Sequence, residues 1–351
     1  MVLTILATIF VLGVLVFFHE LGHFLVAKWV GIKVHRFSLG FPPTILSKKW
    51  GETEYAIGLI PLGGYVKMAG ENPADDTTGE PWEFMSKSVF QRFMVIFAGP
   101  FMNFVLAVLV LAGLYFFRGQ EVKVFVNSLA ENGPAEQAGI VPGDQILSID
   151  GVAVRTFGQM AMLIEQKPNA PVEVSWLHEK TILTDTLVTF AEYARTASGD
   201  SVLAGKIGVG GRRGYETLGL FSSVGAGFMQ ATMYVKLVGS FVWGLLTQAV
   251  DAREIGGPII ISKLAGATAR DGFDVLMEFL ALLSVNLAVL NVLPIPVFDG
   301  GHLMFLLAEK IKGSPISLKT RILAQQIGIA FILLLVIFVT FNDISRWNMF
   351  R

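Results

Sequence analysis

The chain has 351 residues, of which 53% are hydrophobic and 16% are charged, and its formal net charge at pH 7 is −1. Soluble domains carry roughly 25% charged residues, so this composition argues against a soluble protein and favours membrane spans. A net charge this small provides no general attraction to nucleic acid. The chain contains no cysteine, which excludes disulfides and thiolate metal sites and leaves His, Asp and Glu as metal ligands.

Four apolar stretches are long enough to cross a membrane as helices, since a ~30 Å hydrocarbon core requires about 20 residues. They are residues 1–30, 93–117, 275–301 and 322–342. A fifth stretch, 218–250, is apolar but rich in glycine and serine, and Lys236 lies in its middle. We predict that this stretch forms an amphipathic helix on the outer surface of the membrane.

Between the second span and this amphipathic stretch, residues 120–211 alternate apolar and polar side chains and contain several turn signals. This pattern predicts a folded module outside the membrane. The segment 31–92 is rich in lysine and arginine, and the connection between the third and fourth spans is basic as well. Short basic loops lie on the cytoplasmic side, so we predict that segment 31–92 is cytoplasmic and that the module lies on the opposite, extracytoplasmic side.

The sequence FHELGHF, residues 18–24, places two histidines and a glutamate inside the first span. His19 and His23 are four residues apart, so they project from one face of a helix. This spacing supplies two imidazole ligands to zinc, and Glu20 beside them can serve as a general base. Ionisable groups in a bilayer cost several kcal/mol unless they are paired, which favours a functional site over two histidines that only pack.

A catalytic zinc ion requires a third protein ligand and an open position for water. Asp299, which follows the third span in NVLPIPVFDGGH, is the best candidate, and His302 is the next. Two neutral histidines, Asp299 and Glu20 carry a charge of −2, which one Zn²⁺ ion brings to zero. The same donors also admit other divalent ions. Two further histidines lie in other segments: His35 and His178.

The depth of these residues supports the same set. A helix that enters at Val2 rises about 1.5 Å per residue, so His19 lies near the far, cytoplasmic face of the hydrocarbon core. Asp299 reaches the same depth if the first and third spans run in the same direction. This condition holds if the stretch 218–250 does not cross the membrane, or crosses it as a pair of segments.

Four motifs, in this order, are similar to those of the site-2 protease family of intramembrane zinc metalloproteases. They are HELGH at 19–23, PLGGYVKMAGE at 61–71, GPFMNF at 99–104 and NVLPIPVFDGGH at 291–302. The chain most resembles the bacterial regulator of sigma-E protease type, and the resemblance covers nearly all of it. Larger relatives carry two PDZ modules, whereas this chain has room for one. The usual Leu-Asp-Gly of the family reads Phe298-Asp299-Gly300 here, which leaves the ligand unchanged.

The resemblance implies that His19, His23 and Asp299 hold one zinc ion and that Glu20 activates the attacking water. It also implies that Asn291 contacts the substrate, for which a hydrogen bond between helices is the alternative. Gly99 and Pro100 are expected to allow close helix approach. Two other asparagines are expected to serve packing: Asn103 and Asn286.

Residues 55–68 are predicted to form a β-hairpin that turns at Leu62-Gly63-Gly64. The resemblance implies that this hairpin is associated with the membrane near the active site. Its edge, which includes Gly63, Gly64 and Tyr65, would then pair with an unwound substrate strand and satisfy backbone groups that otherwise lie bare in lipid. An ordinary cytoplasmic hairpin is the alternative.

Residues 132–154 resemble the PDZ signature of bacterial proteases, and the sequence Ile207-Gly208-Val209 is expected to lie near a peptide groove. Such a module would bind an extended peptide or a free C-terminus, or would exclude bulky substrates. The predicted fold is therefore a polytopic α-helical membrane protein with four transmembrane helices, a membrane-associated β-hairpin and an inserted extracytoplasmic PDZ domain of mixed α/β structure.

The resemblance implies an intramembrane zinc endopeptidase of the bacterial inner membrane. Its partner would be the lipid bilayer, and it would not bind nucleic acid. Its substrates would be single-span proteins, such as anti-sigma factors after a first cleavage, or remnant signal peptides.

One alternative is a membrane-anchored PDZ adaptor with a structural or inactive metal site, which His302 would close as a fourth ligand. A metal transporter is the second alternative, but it would need polar residues along several spans. Glu20 argues against both, because neither needs a non-ligand carboxylate beside the metal.

Overall fold

The structure, a computed structural model, describes residues 1–71, 78–195, 201–314 and 316–347. The chain divides into two compact units, a membrane unit of Met1–Gly113 with Val224–Arg351 and an inserted module of Leu114–Ser223. The α-helices are α1 Val2–Trp29, α2 Val89–Phe117, α3 Pro134–Gln137, α4 Phe157–Glu165, α5 Leu220–Leu246, α6 Pro258–Asp271, α7 Phe273–Val292, α8 Asp299–Lys312 and α9 Leu318–Trp347. The strands are β1 Val34–Trp50, β2 Thr53–Met68, β3 Gln120–Leu129, β4 Gln145–Ile149, β5 Val152–Ala153, β6 Pro171–His178, β7 Thr181–Val188, β8 Phe190–Arg195, β9 Ser201–Lys206 and β10 Val209–Glu216.

Within the described residues, four helices are long and apolar enough to cross a membrane: α1, α2, α7 and residues Lys319–Ser345 of α9. The four predicted apolar helices are thus present in the predicted order. Helix α2 begins four residues before the predicted start at 93. The side chains of Ser88 and Gln91 explain this, because each accepts a hydrogen bond from the backbone N–H of the other, at 3.1 and 3.2 Å. This reciprocal capping box satisfies two donors that a helix start otherwise leaves unpaired.

The third predicted span, 275–301, is wrong at its end. Helix α7 stops at Val292, and a new helix, α8, begins at Asp299. The two prolines between them, Pro294 and Pro296, break the helix, because proline lacks the backbone N–H that a helix interior needs. The chain then folds back tightly: a Cβ atom at Gly300 would lie 2.1 Å from the carbonyl oxygen of Leu293. Only glycine fits this return, which sets Asp299 at the first turn of α8.

The predicted hairpin over 55–68 is also wrong in its pairing. β1 and β2 form a hairpin whose tight turn lies at residues 51–52, where Trp50 pairs with Thr53. Residues 36–39 of β1 then pair twice, with 64–67 on one side and with 54–57 on the other. The two arms of the predicted hairpin therefore flank β1 and do not pair with each other. Alternation identifies strands but not partners, and a central strand can satisfy backbone groups on both of its edges.

The inserted module contains a six-stranded antiparallel sheet in the order β10-β3-β4-β6-β7, with β5 paired to β4. Its core is built by inward-facing residues such as Ile146, Val174 and Trp176, all buried, against α4. β10 extends the sheet to Glu216, beyond the predicted limit at 211. The predicted turns are present, since Gly143 adopts a positive φ of 104°.

Two helices follow the module in the membrane unit. α5 covers the core of the predicted amphipathic stretch 218–250 and is not among the four candidate spans of the described chain. α6 was not predicted. Its first N–H groups are capped from α9, where the buried carboxylate of Asp343 accepts from Gly257 N at 2.9 Å and from Ile259 N at 3.0 Å. A cap supplied by such a distant residue leaves no local signal.

Candidate metal centre

Helices α1 and α8 bring the three predicted ligands together. His19 Nε2 lies 3.3 Å from His23 Nε2 and 3.2 Å from Asp299 Oδ2, and His23 Nε2 lies 3.6 Å from Asp299 Oδ1. A tetrahedral zinc site with bonds of about 2.0–2.2 Å separates its ligand atoms by about 3.3–3.6 Å. The three donors therefore already have the spacing that zinc requires.

The hydrogen bonds around these donors fit metal binding as well. His23 Nδ1 donates to the carbonyl oxygen of Val95 at 2.8 Å, which leaves the lone pair of Nε2 directed at the cluster. The buried Oδ2 atom of Asp299 has no hydrogen-bond partner among the described residues. Buried acceptors are normally satisfied, so an ion between these donors would remove an otherwise unfavourable arrangement.

Two asparagines lie against His19. The Asn103 amide nitrogen is 3.4 Å from His19 Nδ1, and the Asn291 amide nitrogen is 3.4 Å from His19 Nε2. Asn103 is fully buried, and its Oδ1 atom has no partner in the described chain. Rotating the Asn103 amide by 180° would let this oxygen accept from Nδ1–H, which would free Nε2 for a metal. Asn103, which was expected only to pack, is therefore positioned to orient a ligand.

Glycines give the histidines room between α1 and α2. A Cβ atom at Gly99 would lie 2.3 Å from His23 Nε2 and 2.8 Å from His19 Cε1. A Cβ atom at Gly22 would lie 2.2 Å from the carbonyl oxygen of Ala98. The predicted close helix approach at Gly99 is thus confirmed, and the surface that the two helices share holds the imidazole rings.

A cavity of about 500 Å³ opens beside the cluster. Glu20 lines it, and a Cβ atom at Gly64 would lie 2.9 Å from Glu20 Cγ, so β2 passes directly over this carboxylate. Tyr65 lines the cavity too, whereas Gly63 packs against the ring of Phe41. Two of the three predicted edge residues therefore reach the site.

The other predicted donors do not join the cluster. His302 lines the cavity, but the group of converging donors found among the described residues consists of His19, His23 and Asp299. His178 lies in the inserted module, where its Nδ1 is 2.7 Å from Asp144. The sequence analysis did not identify three polar residues that line the cavity, namely Glu71, Arg321 and Gln325.

The model of peptidase family M50 matches residues 7–335 of this chain. A Rhizobium meliloti protein with a provisional zinc metalloprotease name is 35% identical, with 97% of this chain and 96% of the relative covered. Zinc metalloprotease RasP of Shouchella clausii is 31% identical, with 98% and 99% covered. The regulator of sigma E protease of Haemophilus influenzae is 32% identical, with 96% and 98% covered.

Among solved structures, the PDZ domain of an SdrC-like protein from Listeria monocytogenes is 22% identical, with a TM-score of 0.21 and with 26% of this chain and 87% of that chain covered. The family match, by contrast, spans nearly the whole chain, including the four apolar helices and the three clustered donors. The chain belongs to peptidase family M50, the site-2 proteases, and is an integral membrane protein and a zinc metalloprotease.

Proposed function

We propose that His19, His23 and Asp299 hold one zinc ion and that Glu20 is the general base of an intramembrane endopeptidase. The observation that carries this proposal is the convergence of three donors at tetrahedral spacing beside a carboxylate that is not one of them. Zinc bound there would polarise the scissile carbonyl and lower the pKa of water to about 7. Glu20, which faces the cavity, takes a proton from the attacking water and delivers it to the leaving amine.

The chain's own residues prepare this reaction. Val95 and Asn103 orient the two imidazole rings, so that both Nε2 atoms point toward Asp299. The tight return of the chain at Gly300 sets the backbone of Asp299 at the start of α8, which lowers the cost of ordering this ligand when the metal binds. The arrangement of β2 over Glu20 restricts the space beside the base and shapes the substrate path.

The substrate strand would add to residues 64–68 of β2. One edge of this segment pairs with residues 34–39, and no strand of the described chain pairs with its other edge. Gly64 and Tyr65 lie on this segment and line the cavity. Strand addition there would pair the backbone of an unwound substrate next to Glu20. Asn291 is the further proposed contact, and a substrate that reached its amide would lie directly over His19.

The proposed substrates are single-span membrane proteins, such as anti-sigma factors after a first cleavage, or remnant signal peptides. The names of the two relatives called RasP and regulator of sigma E protease support this class and a role in stress signalling. We place the protein in the bacterial inner membrane with the zinc centre near the cytoplasmic face. The inserted module is then a periplasmic PDZ domain that binds a peptide or excludes bulky substrates, and α5 lies on the periplasmic surface.

The adaptor alternative has less support. A structural zinc site closes with four protein ligands. His302 is not part of the converging group, so the described donors leave one position for water. An open position beside a free carboxylate favours hydrolysis.

The test is cleavage of a single-span substrate by the purified protein in lipid. We expect wild type to cut, and Glu20→Gln to lose about 10²- to 10⁴-fold in rate while it keeps its zinc, because glutamine preserves the size but cannot accept the proton. Glu216→Gln, which changes an exposed carboxylate in the inserted module, should cut like wild type. Equal cleavage by wild type and Glu20→Gln would overturn the assignment.

A further inference from the structure

A buried ion pair joins α2 to α8, the helix that begins at Asp299. Arg92 Nη1 lies 3.1 Å from Glu309 Oε2, and Arg92 Nη2 lies 2.5 Å from Glu309 Oε1. Both residues are almost fully buried. This two-point contact uses both oxygens of the carboxylate, so Arg92 alone neutralises the charge of Glu309.

A second guanidinium, that of Arg321 on α9, stands beside the same carboxylate. Its Nη2 atom is 3.6 Å from Glu309 Oε2, which is longer than a hydrogen bond. Its Nε atom is buried and has no hydrogen-bond partner among the described residues. Two arginines and one glutamate sum to +1, and this surplus charge resides on Arg321. A partly buried charge without a full counterion is costly, so the arrangement is suited to an incoming anion.

Arg321 faces the active-site cavity, together with Gln325 one turn further along α9. The helix is held there by Gly328, where a Cβ atom would lie 2.7 Å from Val297 Cγ2 in the loop before Asp299. Elsewhere this span of α9 is largely exposed, because 11% of the residues in its most apolar 18-residue stretch are buried in the protein. A charged and an amide side chain on one face of such a helix therefore mark a polar wall of the cavity.

No acidic residue of the cavity forms an ion pair with Arg321 in the described chain. Glu20 and Asp299 balance the proposed Zn²⁺ ion, since their two negative charges equal its two positive charges. Glu71 Oε2 accepts from Met68 N at 3.3 Å, and no contact in the described chain joins Glu71 to Arg321. The described contacts join none of these carboxylates to Arg321, so its guanidinium is available to a further carboxylate that enters the cavity.

We propose that Arg321 binds a carboxylate in the active-site cavity, an inference that rests on the proposed protease function. The carboxylate has two possible sources. One is an acidic side chain of the substrate near the cleaved bond. The other is the product: hydrolysis breaks the C–N bond, the water oxygen joins the carbonyl carbon as a new C-terminal carboxylate, and the amine leaves with a proton. Arginine suits this task because its planar donors match both carboxylate oxygens.

The first arm of the test uses single-span substrates that differ only by Asp or Asn, with the pair moved through the positions flanking the cut. If a side chain is bound, wild type should prefer Asp at one position by about 10- to 100-fold in kcat/KM, the value of one charged hydrogen bond. Arg321→Gln should abolish this preference while its zinc content stays normal. Lys319→Gln, which removes an exposed charge two residues earlier, should keep it.

The second arm compares inhibition by the N-terminal cleavage product with a free carboxylate and with a C-terminal amide. If the product is bound, wild type should be inhibited more strongly by the acid, and Arg321→Gln should respond equally to both. The inference is overturned if Arg321→Gln matches wild type in both arms. The two proposals fail separately: if wild type cuts no substrate, the protease proposal fails. If it cuts and shows no Arg321-dependent effect of a carboxylate, only this inference fails.

Discussion

The two units of the molecule each contain a histidine beside an aspartate, and the pairs differ in how completely they are satisfied. In the inserted module, His178 lies 2.7 Å from Asp144, whose second oxygen accepts from Val141 N at 2.9 Å. In the membrane unit, His19 lies 3.2 Å from Asp299, whose Oδ2 atom is buried without a hydrogen-bond partner in the described chain. The first pair is complete as a structural contact, whereas the second leaves a buried carboxylate oxygen that a bound metal ion would satisfy.

The largest expected effect is a loss of zinc affinity, which should follow a change of Asp299 but not a change of Asp144. Asp299→Asn removes a charged ligand, and we expect the protein to lose zinc by more than about 100-fold in affinity, since even loss of a ligand's supporting partner costs about 10- to 100-fold. Cleavage should disappear with the metal. The measurement is zinc content after dialysis against a graded chelator. Asp144→Asn should retain zinc fully, and a loss of zinc in both variants would contradict the distinction.

The two units also differ in how much an ion pair should contribute to the free energy of unfolding, because the pair in the membrane unit is buried and the pair in the inserted module is exposed. Arg92→Met removes the two-point contact with the buried Glu309 carboxylate and leaves Arg321, 3.6 Å away, as its neighbouring charge, so we expect a loss of about 1.5–3 kcal/mol in the free energy of unfolding. The pair Lys167–Asp150 in the inserted module, at 2.8 Å, is much more exposed, so Lys167→Met should cost at most about 1 kcal/mol. Denaturant titration in detergent measures both. The double variant Arg92→Met/Glu309→Leu should regain part of the stability, because it removes the buried carboxylate but also takes a neighbouring charge from Arg321. Equal losses in the two single variants would refute the argument.

A smaller effect tests the space that the histidines need. Gly99→Ala places a methyl group 2.3 Å from His23 Nε2, so one ring must move, and we expect cleavage to fall about 10- to 100-fold. Gly113→Ala on the same helix α2 meets no atom within 4 Å and should leave cleavage unchanged. Comparable losses in both variants would show that helix α2 is sensitive to alanine in general and not at the metal centre.

These contacts show which parts of the site the sequence could predict. The pair His19 and His23 follows from the helical repeat, and Asp299 follows from its position after a proline-broken span, so both are local patterns. Charge balance then selects the three donors that the structure brings together. The apolar stretches predict the four long helices for the same reason, since hydrophobicity over 20 residues is a local property.

The features that were missed depend on distant partners. β2 divides its pairing between the two edges of one strand, and alternation cannot reveal this. Pro258 at the first position of helix α6 is typical of a helix start, but the Asp343 carboxylate that caps its N–H groups comes from another helix and cannot be read from the local sequence. In the sequence, Arg321 is one basic residue among several at the start of a span. Its place at the cavity follows from the contact between α9 and α8, which the sequence does not reveal. In each case the physical cause is a contact between residues far apart in the chain.

The smallest expected effect concerns pH and returns to His178. The hydrogen bond to Asp144 raises the pKa of the His178 imidazole above its usual value of 6.5, and the Asp144 and Glu179 charges add to this. A raised pKa in the folded state means that the stabilisation is fully present below about pH 6.5 and is lost as the pH rises through the folded value. Hydrogen-exchange protection of the β6–β7 hairpin, corrected for intrinsic rates, should therefore be higher at pH 5.5 than at pH 8.5.

His178→Gln should remove this difference, because glutamine carries no titrating group, whereas His35→Gln in the membrane unit should preserve it. If His178→Gln keeps the full pH dependence, the ion pair does not stabilise the module.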